Sequence, residues 1–303
     1  MKIWDLTKHK SPVKGQLLLL TGVLILQCTT LSYAQEGKYK YYETKNLVSL
    51  VDDAATLIKQ QGPQVFNDFM THGTRWRSGD TYVFVIGLKG IVYVHENASL
   101  IGQNLYDLRD IHGKPFIQWF IKKALDEDEC GWTHYEWVKP TDSIPSWKTT
   151  YVKLAKAPSG TFYVVGSGLY DMKMEKEFAM EAVNEAASLI RTWDKDAFKT
   201  LRDSTSEFLY KDTYVFVTDT LCNTLVNPGT PWLEGENQKN MQDAAGKYLF
   251  QEMVRVALDM GQGWVDYLWP KPGTTQPVRK FTFVKRIIVG DEVYIAGTGV
   301  YLD

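Results

Sequence analysis

An internal repeat limits what this chain can fold into more than any other feature. Asp80-Thr-Tyr-Val-Phe-Val85 returns as Asp212-Thr-Tyr-Val-Phe-Val217, and Asp110-Ile-His-Gly-Lys114 returns as Asp243-Ala-Ala-Gly-Lys247. Gly166-Ser-Gly-Leu-Tyr-Asp171 returns as Gly297-Thr-Gly-Val-Tyr-Leu-Asp303. Asp212 follows Asp80 by 132 positions, Asp243 follows Asp110 by 133, and Tyr301 follows Tyr170 by 131. A near-constant offset over three separate motifs marks a duplicated domain. The division this predicts is a leader over 1–34, a first domain over 35–172 and a second over 173–303.

Periodicity assigns the elements within each copy. Leu47, Leu50, Val51, Ala54, Leu57 and Ile58 recur at helical spacing, and the stripe resumes at Val65, Phe66 and Phe69 after Gly62-Pro63. Tyr82–Leu88 and Ile91–His95 read as strands joined across Lys89-Gly90. Lys114–Leu125 reads as a helix with Phe116, Phe120 and Ala124 on its apolar face. Strands follow around Trp132–Trp137, Lys148–Leu154 and Phe162–Leu169. A single helix over Met174–Leu201, with apolar positions that include Trp193 and Phe198, opens the second copy. Strands joined by short turns, with helices gathered beside them, make an α+β domain built on an antiparallel sheet.

The amino terminus carries an export signal. Lys2, Lys8, Lys10 and Lys14 precede the apolar run Leu17–Leu26, and Ser32-Tyr33-Ala34 follows as an A-x-A-like site. Cleavage is expected near Ala34, which places the chain in the periplasm or the medium. The alternative is a retained anchor, although the run is shorter than the roughly 20 residues of a span. The net charge of −2, with no Lys/Arg run longer than two, gives no push toward nucleic acid. Beyond the leader only Cys130 and Cys222 remain, and both read as small core residues rather than a disulfide framework or metal site.

Two hairpins share one spelling. Gly131–Lys153 and Gly261–Lys285 each set tyrosine and tryptophan on one strand and a lysine on the returning strand. The second copy adds Trp269-Pro-Lys-Pro-Gly273 at its turn. Together with Gly246-Lys-Tyr-Leu-Phe250, Lys280-Phe-Thr-Phe-Val-Lys285 and Gly297-Thr-Gly-Val-Tyr301, this series resembles the small-Cache (Cache type 2) sensory domain. The first copy is similar from Val92-Tyr-Val-His-Glu96 through Asp107-Leu-Arg-Asp110 to Tyr170-Asp171, though its turn is only Trp137-Val-Lys-Pro140. The resemblance implies two tandem PAS-like domains, each an antiparallel sheet with a long N-terminal helix and an extracytoplasmic pocket. It further implies a small organic acid or similar metabolite as ligand, and a membrane receptor or sensor kinase as partner. No second membrane span or kinase follows the second copy, so signalling is expected to pass through such a partner.

A pocket for a small carboxylate needs a positive charge and aromatic walls that exclude water. Tyr135 and Trp137, and likewise Tyr267 and Trp269, stand at i, i+2 and share a face. With Lys148, Tyr151, Lys280 and Phe283 from the returning strands they are the candidate ligand-binding residues. The second copy, whose turn motif is intact, is the better candidate. The competing reading has the rings filling the core while the lysines snorkel to solvent. His95 follows a strand and is a further candidate without a counterpart in the second copy. Arg109 reads as a surface residue, and Tyr170 and Tyr301 as packing at the end of the sheet. No Gly-x-Ser-x-Gly elbow or His-Glu-x-x-His appears, and the acidic run Asp126–Glu129 reads as a solvated helix end. Neither enzymatic activity nor a cofactor is expected. The alternative function is an envelope scaffolding or protein-interaction module with degenerate pockets.

Overall fold

The computed structural model describes residues 37–271 and 273–302. The leader, its cleavage site and Pro272 lie outside the described residues. In the first half, α1 (Tyr42–Gln61), a 3-10 turn (Gly62–Val65) and α2 (Phe66–Met70) precede β1 (Arg77–Ser78), β2 (Thr81–Gly87) and β3 (Val92–Val94). Then come α3 (Phe116–Leu125), β4 (Cys130–Val138), β5 (Pro145–Lys156) and β6 (Phe162–Tyr170). The second half opens with α4 (Lys176–Trp193), a 3-10 turn (Asp194–Asp196) and α5 (Ala197–Arg202), followed by the short strands β7 (Leu209–Tyr210) and β8 (Thr213–Tyr214). It closes with β9 (Phe216–Asp219), β10 (Thr224–Val226), α6 (Leu249–Met260), β11 (Gln262–Pro270), β12 (Pro277–Val289) and β13 (Glu292–Val300).

Both sheets have one topology. The first runs β1-β2-β6-β5-β4 with β3 also on β2, and the second runs β10-β9-β13-β12-β11. Every pairing is antiparallel. The last strand therefore lies at the centre of each sheet, an order that periodicity alone does not reveal. Long helices cover one face, with α1 against β5 and β6 and α4 against β12 and β13. Short helices cover the other, with α3 against β4 and α6 against β11.

The expected helix over Met174–Leu201 is broken. It ends at Trp193, and Asp194 takes a positive φ of 48°, where Gly62 takes 67° in the first half. Gly62-Pro63 announces its break; Asp194 does not, because a non-glycine residue seldom adopts that region. Its carboxylate accepts a hydrogen bond from Tyr294 Oη at 2.8 Å. The break leaves Trp193 exposed, while Phe198 and Leu201 beyond it are buried.

Contacts that bind the halves together include a buried lysine, a ring stack and an ion-pair cluster. Lys114, almost wholly buried, donates from Nζ to the carbonyls of Ser204, Ser206 and Leu209 at 3.1, 2.6 and 2.7 Å. His134 of β4 stacks on Tyr210 of β7 with ring centroids 3.8 Å apart. Lys123 of α3 pairs with Glu181 and Glu185 of α4. Burial and the nearby ammonium groups of Lys211, Lys123 and Lys114 all hold His134 well below its usual pKa, so it packs as a neutral ring.

Candidate functional site

In both halves the fold buries a lysine beneath tyrosine rings. Lys148 of β5 pairs in register with Tyr135 of β4 on one side and Tyr170 of β6 on the other. Because strand neighbours directly opposite project to one face, all three side chains stand on the α3 side of the sheet. Lys148 is 1% exposed and Lys280 3%, so neither snorkels to solvent. The Lys148 ammonium lies 3.9 Å from the Tyr82 ring centroid and 4.8 Å from that of Tyr170. The Lys280 ammonium lies 4.7 Å from Tyr214 and 5.1 Å from Tyr301. Ring faces carry partial negative charge and attract a cation, but they accept no strong hydrogen bond.

Repeated glycines clear the space for each lysine. A Cβ at Gly168 would sit 2.8 Å from Lys148 Cε and 2.3 Å from Thr150 Oγ1. One at Gly299 would sit 2.3 Å from Lys280 Cε and 2.5 Å from Thr282 Oγ1. The second glycine of Gly-Ser-Gly and Gly-Thr-Gly thus lets the lysine stem lie flat across the central strand.

The aromatic walls are built alike. Tyr135 stacks on Phe116 of α3 at 4.2 Å and 4°, and its hydroxyl pairs with Thr150 Oγ1 at 3.1 Å. Tyr267 pairs with Thr282 Oγ1 at 2.9 Å. Trp137 packs edge-on to Phe116 and Trp269 edge-on to Tyr267. Tyr170 donates to the Val138 carbonyl at 2.7 Å, and Tyr301 to that of Pro270 at 2.8 Å. These two tyrosines line the lysines rather than only closing the end of the sheet.

Asp110 and Asp243 fix the loop before each short helix. Asp110 accepts from the backbone N–H groups of His112, Lys114 and Glu136, the last on β4. Asp243 accepts from those of Ala245, Lys247 and Leu268, the last on β11. The repeated Asp-x-x-Gly-Lys motif is a clasp between the loop and the strand carrying the aromatic wall.

Two of the expected residues stand elsewhere. Tyr151 lies three positions after Lys148 and Phe283 three after Lys280, an odd separation that turns a side chain to the opposite face. Tyr151 packs on Trp132, which in turn meets Phe178 of α4. Phe283 lies in the core formed with Val183, Ala186 and Ile190 of α4. The structure brings together Tyr135, Trp137 and Lys148 in one half and Tyr267, Trp269 and Lys280 in the other. It adds Tyr82, Tyr170, Tyr214 and Tyr301, whose signal in the sequence was recurrence at the repeat offset. Arg109 is exposed and donates to the Gly113 carbonyl.

Electrostatically the halves differ. Lys148 Nζ is buried with no hydrogen-bond partner. Burial pushes its pKa down to about 7, and Asp80 and Glu96 oppose the shift. Burial brings Lys280 down to about 8, opposed by Asp212. Burial raises the phenols of Tyr82, Tyr135, Tyr170 and Tyr267, keeping them protonated donors. His95 lies beside Tyr82, with ring centroids 5.0 Å apart, and burial together with the Lys148 charge takes its pKa down to about 3. In the second half the Asn227–Thr230 turn lies over Tyr214, where a Cβ on Gly229 would come within 2.1 Å of that ring. Cys222 is buried and Cys130 half-buried. Among the described residues no group of acidic, histidine and cysteine side chains could hold a metal ion, and no helix is long and apolar enough to cross a membrane.

Comparison with known proteins agrees with the duplication. A methyl-accepting chemotaxis protein, McpP of Pseudomonas putida, is 33% identical over 92 residues, covering 30% of this chain and 16% of that protein. A sensor histidine kinase, MctS of Rhizobium johnstonii, is 36% identical over 93 residues, covering 31% of this chain and 20% of that protein. The matched stretch thus spans a fifth or less of either relative. Among solved structures, a Cache chemosensory domain described for its carboxylic acid recognition is 27% identical, covering 42% of this chain and 93% of that one at a TM-score of 0.38. A family model for the Cache domain matches residues 69–192 and again residues 179–303. The chain belongs to the Cache domain family and carries its domain in two tandem copies.

Proposed function

We propose that this protein is an exported sensor whose first half captures a small carboxylate on Lys148, between Tyr82, Tyr135, Tyr170 and Trp137. The observation that carries this reading is the Lys148 ammonium, buried without a hydrogen-bond partner. A buried cation that lacks a partner costs several kcal/mol, and an anion bound within hydrogen-bond reach recovers much of that cost. Tyr267, Trp269 and Lys280 form the corresponding seat in the second half, over which the Asn227–Thr230 turn is folded. Complete burial of the unpartnered Lys148 ammonium favours the first half as the working pocket, against the expectation from the intact turn motif. Tyr151 and Phe283 are not part of the proposed seats, since they face the long helices.

The bound state would pass to a membrane receptor or sensor kinase, a role consistent with relatives named as a chemotaxis protein and a histidine kinase. Domains over 35–172 and 173–303, and removal of the leader near Ala34 into the periplasm or medium, belong to the same proposal. A thermal-shift screen against C2 to C4 carboxylates, amino acids, amines and purines tests it. Carboxylates should raise Tm in the parent and not in Lys148→Met. A shift with amines alone, or none with any class, would contradict it.

A further inference from the structure

Where the halves meet, the first sheet presents an ionisable ring to the second half. His134 follows Tyr135 by one odd step along β4, so it stands on the face opposite the Lys148 seat. Its ring lies parallel to Tyr210 of β7, at 3.8 Å and 7°, and edge-on to Phe178 of α4 at 5.1 Å. Its Nδ1 pairs with Thr149 Oγ1 of β5 at 3.0 Å. The ring is thus held from its own sheet on one side and from the second half on the other.

The charged groups around this ring come from several segments. Lys114 before α3, Lys123 on α3 and Lys211 after β7 bear on it with ammonium groups. Glu181 and Glu185 of α4, and Glu207 of the loop before β7, line the small cavity beside it. Those carboxylates are already engaged. Glu181 accepts from Lys123 at 2.7 Å and from the Trp132 N–H at 3.0 Å, Glu185 pairs with both Lys122 and Lys123, and Glu207 pairs with Lys122 at 2.6 Å. An imidazolium placed here would face three ammonium groups while the carboxylates are held elsewhere. The face of Tyr210 attracts a cation, but one ring is set against three full charges. The second half repeats nothing of this kind: the counterpart of His134 is Asp266, 132 positions on, which is partly exposed and pairs with Arg279 at 2.6 Å.

We propose that the His134–Tyr210 stack is an acid-sensitive hinge, in which protonation of His134 parts the first half from the second. This goes beyond ligand capture and does not depend on Lys148. Once the halves part, His134 regains the ordinary histidine pKa near 6.5, whereas the closed stack holds it well below that. The parted state therefore binds more protons, so closure is fully favoured above about pH 6.5 and loses ground as pH falls below it. Acidity becomes an input that reaches the second half without any ligand.

Amide exchange of the full protein at pH 7.0 and 5.5, corrected for the intrinsic rate, reads this opening at residues 204–210. The lower value stays above the ordinary carboxylate range. Lys114, which burial brings down to about 8, titrates above the window. Opening of 204–210 should increase by about threefold to tenfold at pH 5.5. His134→Phe keeps a ring on Tyr210 but cannot titrate, and should remove most of that increase. His134→Gln keeps a polar partner for Thr149 Oγ1, likewise cannot titrate, and decides the matter should Phe disturb the fold. Opening of 204–210 that is the same at both pH values in the parent would overturn the proposal. So would an increase that survives undiminished in the folded variants.

Discussion

At the residue scale, the two buried lysines account for most of what is unusual here. Between pH 7 and the normal lysine range near 10.4, the unfolded chain holds a proton on Lys148 that the native chain tends to release. Stability therefore rises with pH across that window, and below about pH 7 the cost of the buried charge is fully present. Lys148→Met should stabilise the ligand-free protein by a few kcal/mol at pH 6, since each pKa unit carries about 1.4 kcal/mol, and by progressively less toward pH 10. Denaturant midpoints at several pH values measure this, and a variant less stable than its parent at pH 6 would contradict it. Gly299→Ala places a methyl group into the Lys280 stem and should cost about 2 kcal/mol, read in the same way. The lysines were legible as candidates because each recurs opposite a Tyr-x-Trp pair. The assignment of Tyr151 and Phe283 failed on parity: an odd step along a strand changes face. That could have been read from the spacing alone.

At the scale of elements, the repeated aspartate clasp matters more than its turn-like spelling suggests. Asp243 loses some hydration, yet the N–H groups of Leu268, Lys247 and Ala245 hold its pKa below the usual value. Its contribution is present above the unfolded pKa near 3.9 and is lost as pH falls through the lower native one. Asp243→Ala should cost about 2 kcal/mol at pH 7, because three backbone donors lose a charged acceptor. Amide exchange should quicken first in β11, where Leu268 N–H is released; uniform exchange across the protein would mean that the clasp is not local. Strand existence was legible from runs such as Tyr82–Leu88, because buried strands read as apolar runs. Strand order was not, since β6 and β13 insert between earlier strands through contacts remote in sequence. Tyr82 and Tyr170 therefore meet over Lys148 without any local sign that they should. The break at Asp194 was hidden as well, because nothing in Trp-Asp-Lys-Asp resembles the Gly-Pro that marks the break at Gly62.

For the whole molecule, duplication set the architecture, and the two halves use one repeat position differently. Lys114 and Lys247 occupy the same repeat position, but Lys114 reaches across to three carbonyls of the second half, whereas Lys247 reaches the Asp266 carbonyl within its own. Lys114→Met should cost about 2–4 kcal/mol, since three hydrogen bonds from a charged donor, each worth about 1.5–3 kcal/mol, are partly offset by the cost of burying that charge. It should also speed amide exchange over residues 204–210. Lys247→Met should cost less than about 1 kcal/mol, as its partly exposed ammonium can pair with water instead. Equal costs would show that Lys114 does not fasten the halves. The repeat offset revealed that there are two domains, but the fastening could not be read, because it uses a motif residue that bonds within its own half in the other copy. The most direct test of ligand capture by Lys148 is calorimetric titration of a C2 to C4 carboxylate at pH 6, 7 and 8 into the parent, Lys148→Met and Lys280→Met. Binding should weaken above pH 7 by up to about tenfold per unit as Lys148 loses its proton, vanish in Lys148→Met and persist in Lys280→Met. Binding that is independent of pH and undiminished in Lys148→Met would contradict it.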